Sequence, residues 1–444
     1  MDRICVIGAG SSGIASCQVL DARGIPFDCF EKGSEVGGNW RYDNDNEMSS
    51  AYESLHINTS KRIMEYATFP MPDEYPDFPS HGQIAAYFDA YVDHFGFRDK
   101  IRFNTAVTRV ERNGNGWSVT LDDGSTHDYR AVMVANGHHW NPRYPEPQFP
   151  GTFDGETVHA HYYRTPAGYE GKRVVVLGFG NSAMDIAVEL SRISDEVFLA
   201  VRRGFHVIPK YLRGKPLDQL SNPISRRLPF TFTRRSFEKL IKQSVGSPED
   251  YGLPTPDHRL GEAHPTVSSE ILNRIGHGDV TVKPNIERLE GDSVRFADGS
   301  VEKVDRIIWC TGYKIAFPFL DDELVPTRDN QVALYRRVVP PDLPGLYFIG
   351  LIQPLGAIMP IAELQSEWVA DLLEAKASLP SRDRMGASIA EDDRKLKKRY
   401  VASKRHTIQV DFYPYLRELQ RERHRRPRRG VAPGGTVARE PAPA

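Results

Sequence analysis

Two stretches of the chain share one pattern: a short unbroken apolar run, a glycine-rich turn, then apolar residues at helical spacing. The first is Ile4-Cys5-Val6-Ile7, followed by Gly8-Ala9-Gly10-Ser11-Ser12-Gly13 and then by Ile14, Val19 and Leu20. The second is Val174-Val175-Val176-Leu177, followed by Gly178-Phe179-Gly180-Asn181-Ser182-Ala183 and then by Ile186, Val188 and Leu190. A four-residue apolar run predicts a strand buried on both faces, as in a parallel sheet. The first glycine of each turn permits the tight bend. The second lets backbone N–H groups approach a pyrophosphate, and the third small residue lets the helix pack close to the strand. The anion then rests at a helix N-terminus, where unpaired N–H groups and the dipole favour it. Two such units imply two bound nucleotides on one chain, and that points to electron transfer.

The strand that follows each turn separates the two units. Pro26 to Lys32 predicts the second strand of the first unit, and Glu31 ends it about 20 residues past the glycines, where a carboxylate accepts hydrogen bonds from ribose hydroxyls. A solvated glutamate at a strand end is the alternative. Glu196 to Val201 predicts the corresponding strand of the second unit, and it ends in Arg202-Arg203. Cations there accommodate the 2′-phosphate of NADP, which a carboxylate would repel; a merely solvated arginine pair is the alternative.

Elsewhere, residues 81–95 predict an amphipathic helix, and residues 101–103, 106–110, 117–121 and 131–135 predict strands. Asn113 to Gly116 and Asp122 to Gly124 supply hairpin turns. Pro142, Pro145, Pro147 and Pro150 mark a break before the second unit, which runs from about Lys172 to Val282. Within it, residues 213–263 are rich in Pro, Arg and Gly with weak periodicity and read as a long excursion. Strands resume at 280–282, 293–296 and 306–309, and a last strand at 345–350 precedes a helix from about Ile361 to Ala377. The fold class is α/β with two Rossmann-like dinucleotide-binding domains.

Composition narrows the function. At 444 residues the chain has room for two or three domains, and a formal net charge of −2 leaves no global field for nucleic acid or an anionic membrane. The apolar stretch from Leu343 to Leu364 is broken by Pro344, Gln353, Pro354, Gly356 and Pro360, short of the roughly 20 residues a spanning helix needs. The first strand begins too early for a signal peptide. Cys5, Cys17, Cys29 and Cys310 form no CxxC pair, so they read as buried free thiols in a reducing cytosol and argue against a disulfide reductase of similar two-nucleotide layout. The expectation is a soluble cytoplasmic protein with no metal site. Arg417, Arg421, Arg423, Arg425, Arg426, Arg428 and Arg429 read as a frayed, solvated end.

The order of motifs resembles the flavin-containing monooxygenases, within the class B flavin-dependent monooxygenases. Phe153-Asp154-Gly155-Glu156-Thr157-Val158-His159-Ala160-His161-Tyr162-Tyr163 is similar to that family's FxGxxxHxxx(Y/F) fingerprint. Gly37-Gly38-Asn39-Trp40, Asn58-Thr59-Ser60-Lys61, Gly180 to Ala187 and Phe348 to Gly356 match further segments. The resemblance implies an FAD domain built from residues 1–165 and 286–420, an inserted NADPH domain at 166–285, and a flexible tail at 421–444. It implies FAD contacts at Gly8, Gly10, Gly13, Glu31, Gly38, Trp40, Val107 and Gln353. NADP would be held by Gly178, Gly180, Asn181, Ser182, Ala183, Arg202 and Arg203. Unaided by the resemblance, Trp40 and Gln353 could equally be packing residues. Asn58 corresponds to the family's asparagine beside the flavin, with an Asx turn as the alternative. His159 and Tyr163 would brace the interdomain linker.

The implied chemistry is reduction of FAD by NADPH, addition of O2 to give a C4a-hydroperoxyflavin, and attack on its distal oxygen by a small amine or thioether. Baeyer–Villiger oxidation of ketones is the alternative, and Tyr163, where ketone-oxidising relatives usually carry Trp, favours the first. A nucleotide-binding sensor without turnover is a further alternative. Relatives imply a homodimer, although no apolar stripe marks an interface. Trp309-Cys310-Thr311-Gly312-Tyr313 departs from the family's FATGY-like segment only in a small residue, and the arginine-rich end replaces a membrane-anchoring tail.

Overall fold

In the computed structural model, residues 2–220, 230–400 and 407–426 are described. β1 (Ile4–Ile7) is the centre of a five-stranded, all-parallel sheet. Its order is Leu346–Phe348, Ala131–Val134, β1, β2 (Phe27–Phe30) and Ile101–Arg102. Ile4, Cys5 and Val6 are fully buried, which is why this strand reads as an unbroken apolar run. α1 (Ser11–Ala22) follows the first glycine turn. The sequence reverses direction across the sheet at β1, between β2 on one side and the Ala131–Val134 strand on the other; this is the switch point where doubly wound sheets bind ligands.

The second sheet repeats the plan. β3 (Arg173–Leu177) is central, followed by α2 (Asn181–Leu190) and β4 (Glu196–Ala200). The order is Thr281–Lys283, β4, β3, Arg306–Trp309 and Glu156–His159, again all parallel. Two of these five strands, Glu156–His159 and Arg306–Trp309, lie outside the expected 166–285. The fingerprint segment thus supplies an edge strand of the second sheet. A four-stranded sheet of Gly151–Phe153 with the 286–303 meander shares a core with this sheet through Phe198, Phe296 and Ile307.

The chain crosses between the two sheets twice. The crossings are hydrogen-bonded to each other: Arg143 N–H donates to Gly312 O at 2.9 Å and Lys314 N–H to Asn141 O at 2.8 Å.

The expected helix at 81–95 is His81–Phe95, with Ser80 and Gln83 forming a capping box. α3 (Met359–Leu373) packs on α1, with Ser16 Oγ and Ser366 Oγ 3.0 Å apart in the core. The C-terminal arginines need correction. α4 (Phe412–Arg423) buries Phe412, Tyr415 and Leu419, and Arg423 pairs with Glu367 and with Asp371, the latter at 2.7 Å. Arg425 pairs with Glu422 at 3.0 Å. The high charge of the segment masks an apolar stripe at helical spacing. Arg428 and Arg429 lie outside the described residues.

Candidate functional site

Both glycine turns take the shape their spacing predicts. Gly8 has φ 97° and Gly178 φ 144°, in the region that favours glycine. A Cβ on Gly13 would lie 1.8 Å from Gly8 O, so the third glycine brings α1 against its own strand. The second turn has Ala183 at that position, fully buried. Gly10 and Gly180 are the N-caps of α1 and α2, and neither helix has a side-chain cap or an acidic residue in its first turn. The leading N–H groups of both helices are therefore left for an anion.

The two turns open on one cavity of about 1440 Å3. Its lining includes Gly8, Gly10, Glu31, Gly38, Trp40, Asn58, Val107 and Gln353 from the first unit. From the second it includes Gly178, Gly180, Asn181, Ser182, Ala183, Arg202 and Arg203. Of the expected site residues only Gly13 is absent from the wall, because it lies beneath the turn. Thr311 and Gly312 line the cavity as expected, and so does the half-buried Cys310. Among the described residues no group of His, Cys, Asp or Glu could hold a metal ion.

Several wall residues are shaped for a bulky polar guest. Gly38 has φ 53°, and a Cβ there would come within 3.1 Å of Gly10 Cα, closing the cradle over the first turn. Glu31 is buried at the end of β2. Its Oε2 accepts from Ala9 N–H at 2.7 Å; its Oε1 accepts from Gly33 N–H at 2.9 Å and from Asn46 Nδ2 at 3.0 Å. The carboxylate therefore also braces the turn, and one acceptor position remains beside the cavity. Asn58 Oδ1 is buried without a partner, a polar atom that calls for a donor from the cavity. Arg202 is exposed at the end of β4, and Arg203 lies 5.6 Å from the Phe179 ring centroid. FAD and NADPH fit this set: two open helix N-termini, one acidic and one basic strand end, and an unpaired amide between them.

The fingerprint residues brace the site. Tyr163 Oη donates to Glu189 Oε2 at 2.7 Å, tying the linker to α2. His159 Nδ1 accepts from His161 N–H at 3.0 Å, and its ring packs against Tyr144 and Tyr313. Burial, with His161 adding to it, pushes the His159 imidazole down to about 4, so it is neutral at pH 7.

Sequence reasoning missed other contacts. Val207–Ile208 pairs in parallel with Thr266–Val267, and that short sheet holds the second glycine turn. Thr266 Oγ1 donates to Phe179 O, and Val267 N–H donates to Asn181 Oδ1 at 2.9 Å. Tyr52 Oη donates to Asp185 Oδ2 on α2 at 2.6 Å. Two-residue strands far apart in the chain leave no periodic signal.

Comparison with known proteins agrees with this geometry. The flavin-binding monooxygenase-like family matches residues 1–429. Flavin-containing monooxygenase 5 of Rattus norvegicus is 39% identical over 438 residues, covering 94% of this chain and 82% of its own. Dimethylaniline monooxygenase [N-oxide-forming] 2 of the same organism is 36% identical over 441 residues, covering 95% and 82%. The solved S-allyl-L-cysteine S-oxygenase of Allium sativum superposes with a TM-score of 0.72 at 26% identity, covering 95% of this chain and 88% of its own. The chain belongs to the flavin-binding monooxygenase family and is an FAD- and NADPH-dependent monooxygenase.

Proposed function

We propose that the enzyme oxygenates soft nitrogen or sulfur nucleophiles, small amines and thioethers. The observation that carries this reading is Asn58: an amide whose buried oxygen lacks a partner, on the wall shared by the two glycine turns. Bound FAD supplies the redox chemistry, taking hydride from NADPH and activating O2. The protein's task is to bind, orient and keep out water. A thioether or a free-base amine attacks with its own lone pair and gives up no proton in doing so, so an amide that orients is enough and no general base is required. Two relatives point the same way by name, one forming an N-oxide and one oxygenating sulfur.

In this reading the N-terminus of α1, with Gly8, Gly10 and Gly13, holds the FAD pyrophosphate. Glu31 holds a ribose, while Gly38, Trp40, Val107 and Gln353 shape the rest of the flavin site. Gly178, Gly180, Asn181, Ser182 and Ala183 hold the NADP pyrophosphate, and Arg202 with Arg203 takes the 2′-phosphate. Asn58 offers its amide to the cofactors and substrate. The second sheet and its meander form the NADPH domain inserted in an FAD domain. Free cysteines and the absence of a membrane-crossing helix among the described residues suit a cytoplasmic enzyme.

The test is NADPH consumption by the purified full chain with trimethylamine, a thioether and a cyclic ketone, with H2O2 measured in parallel. N-oxide or sulfoxide in step with NADPH consumed is the expected result. A lactone with no N- or S-oxide would overturn it in favour of ketone oxidation. Colourless protein that never oxidises NADPH in air would overturn both.

A further inference from the structure

The segment from Lys210 to Gln219, which leads into the excursion read at 213–263, grips the loop of Asn58 on both sides. Lys210 Nζ donates to Ile57 O at 3.2 Å, immediately before Asn58. After it, Ser60 N–H donates to Asp218 Oδ2 at 2.7 Å and Gln219 Nε2 donates to Ser60 Oγ at 2.9 Å. Tyr211 Oη fixes the neighbouring segment through Asp77 Oδ2 at 2.8 Å. These gripping residues follow β4 in the second nucleotide unit, whereas Asn58 belongs to the first.

Residues on either side of the excursion reach the second glycine turn. Lys210 N–H donates to Ser269 Oγ at 3.2 Å, and Ser268 N–H donates to Ile208 O at 3.0 Å. Val267 N–H and Thr266 Oγ1 then bond Asn181 and Phe179. A continuous hydrogen-bonded path therefore joins the NADP turn to the flanks of Asn58. Lys210 is committed to this place. Its ammonium is largely buried, lies 5.1 Å from the Phe78 ring centroid, and is pushed down by burial against the pull of Asp185 and Glu270. A buried lysine that spends a hydrogen bond on a backbone carbonyl fixes that carbonyl's position.

We propose that residues 207–220 form a clasp that holds Asn58 in register with the second glycine turn, with Lys210 and Asp218 as its positioning residues. The clasp rests on the role given to Asn58 above. It makes the orientation of the Asn58 amide depend on the seating of NADP, so that oxygen transfer proceeds only with both in place.

The test uses Lys210→Met, Lys210→Arg, Asp218→Ala and Asp218→Asn in the flavin-loaded full chain, alone and combined with Asn58→Ala. Two quantities are read: the fraction of consumed NADPH that appears as H2O2, and the change in the oxidised FAD absorption band on titration with NADP+. In Lys210→Met and Asp218→Ala the H2O2 fraction is expected to rise roughly fivefold, the shift that one lost hydrogen bond produces. The NADP+-induced spectral change should shrink with it. Lys210→Arg keeps a donor and Asp218→Asn keeps an acceptor, so both restore coupling. In the Asn58→Ala background Lys210→Met should add nothing.

Wild-type coupling and spectra in Lys210→Met and Asp218→Ala, with Asn58→Ala uncoupled, would overturn the clasp and leave Asn58 standing. Unchanged coupling in Asn58→Ala would instead remove the role of Asn58, and the clasp with it. Losses that simply add in the double variants would also overturn the clasp, as would loss of FAD in both truncations without recovery in either conservative variant.

Discussion

Glu31 Oε2 accepts a 2.7 Å hydrogen bond from the N–H of Ala9, the residue between the first two glycines of the first turn. The carboxylate proposed to hold a ribose thus also fixes the backbone proposed to hold the pyrophosphate. Glu31→Gln would turn an amide NH2 toward one of two backbone donors, Ala9 or Gly33. That mismatch costs about 1–3 kcal/mol. The expected outcome is a lower Tm and FAD loss on gel filtration, read from the ratio of visible to ultraviolet absorbance.

The two glycine turns should fail differently. An alanine at Gly13 meets Gly8 O at 1.8 Å, a backbone atom that cannot move aside. Gly13→Ala is expected to give colourless or insoluble protein. Gly178→Ala meets Cys310 O at 2.5 Å in the second sheet. It is expected to leave the protein yellow while NADPH oxidation falls at least about tenfold, from overpacking worth roughly 1–3 kcal/mol. Flavin content and stopped-flow flavin reduction separate the two.

Arg202→Ala and Arg203→Ala remove the cations at the end of β4. The KM for NADPH should rise about ten- to a hundredfold, as expected for lost charge-assisted hydrogen bonds, with NADH little affected. The kcat/KM ratio for NADPH over NADH measures this. An unchanged ratio in both variants would return the pair to an ordinary solvated surface.

Asn58→Ala is expected to keep oxidising NADPH while product formation falls about tenfold or more, the balance appearing as H2O2. Parallel assays of NADPH, product and H2O2 check it, and unchanged coupling would sink the assignment.

His159 gives the fold an acid limit. Its ordinary value of 6.5 falls to about 4 through burial, with His161 adding to it, so the folded state favours the neutral ring. A base held down in this way contributes stability that is complete above pH 6.5 and is lost as pH falls toward 4. Denaturation midpoints should therefore fall across that window, and His159→Gln should flatten the slope. The slope that remains includes His81, His138, His161 and His206, which burial also pushes down.

The parts of this molecule legible in sequence are those whose cause is local. Gly8 takes φ 97° and Gly13 packs on Gly8 O, two demands set within one short segment. The amphipathic helix at 81–95 and the hairpin turns near 113–116 and 122–124 are equally local. Contacts decided across the chain left no such trace. Thr157 pairs with Ile307, 150 positions away, so nothing near either strand shows that they share a sheet. Lys210 reads as one more surface lysine until the fold brings Ile57 O to its ammonium. Arg423 reads as tail because the apolar stripe of its helix is diluted by charge.

The paired crossings at Asn141–Arg143 and Gly312–Lys314 make the passage between the two sheets a double-stranded strap. A single tether would let the halves spin about it and lose alignment. Two crossings hydrogen-bonded on either side of Pro142 and Tyr313 hold the passage at two points instead of one. With the Lys210 and Asp218 contacts to the first unit, the strap keeps the two glycine turns facing one cavity.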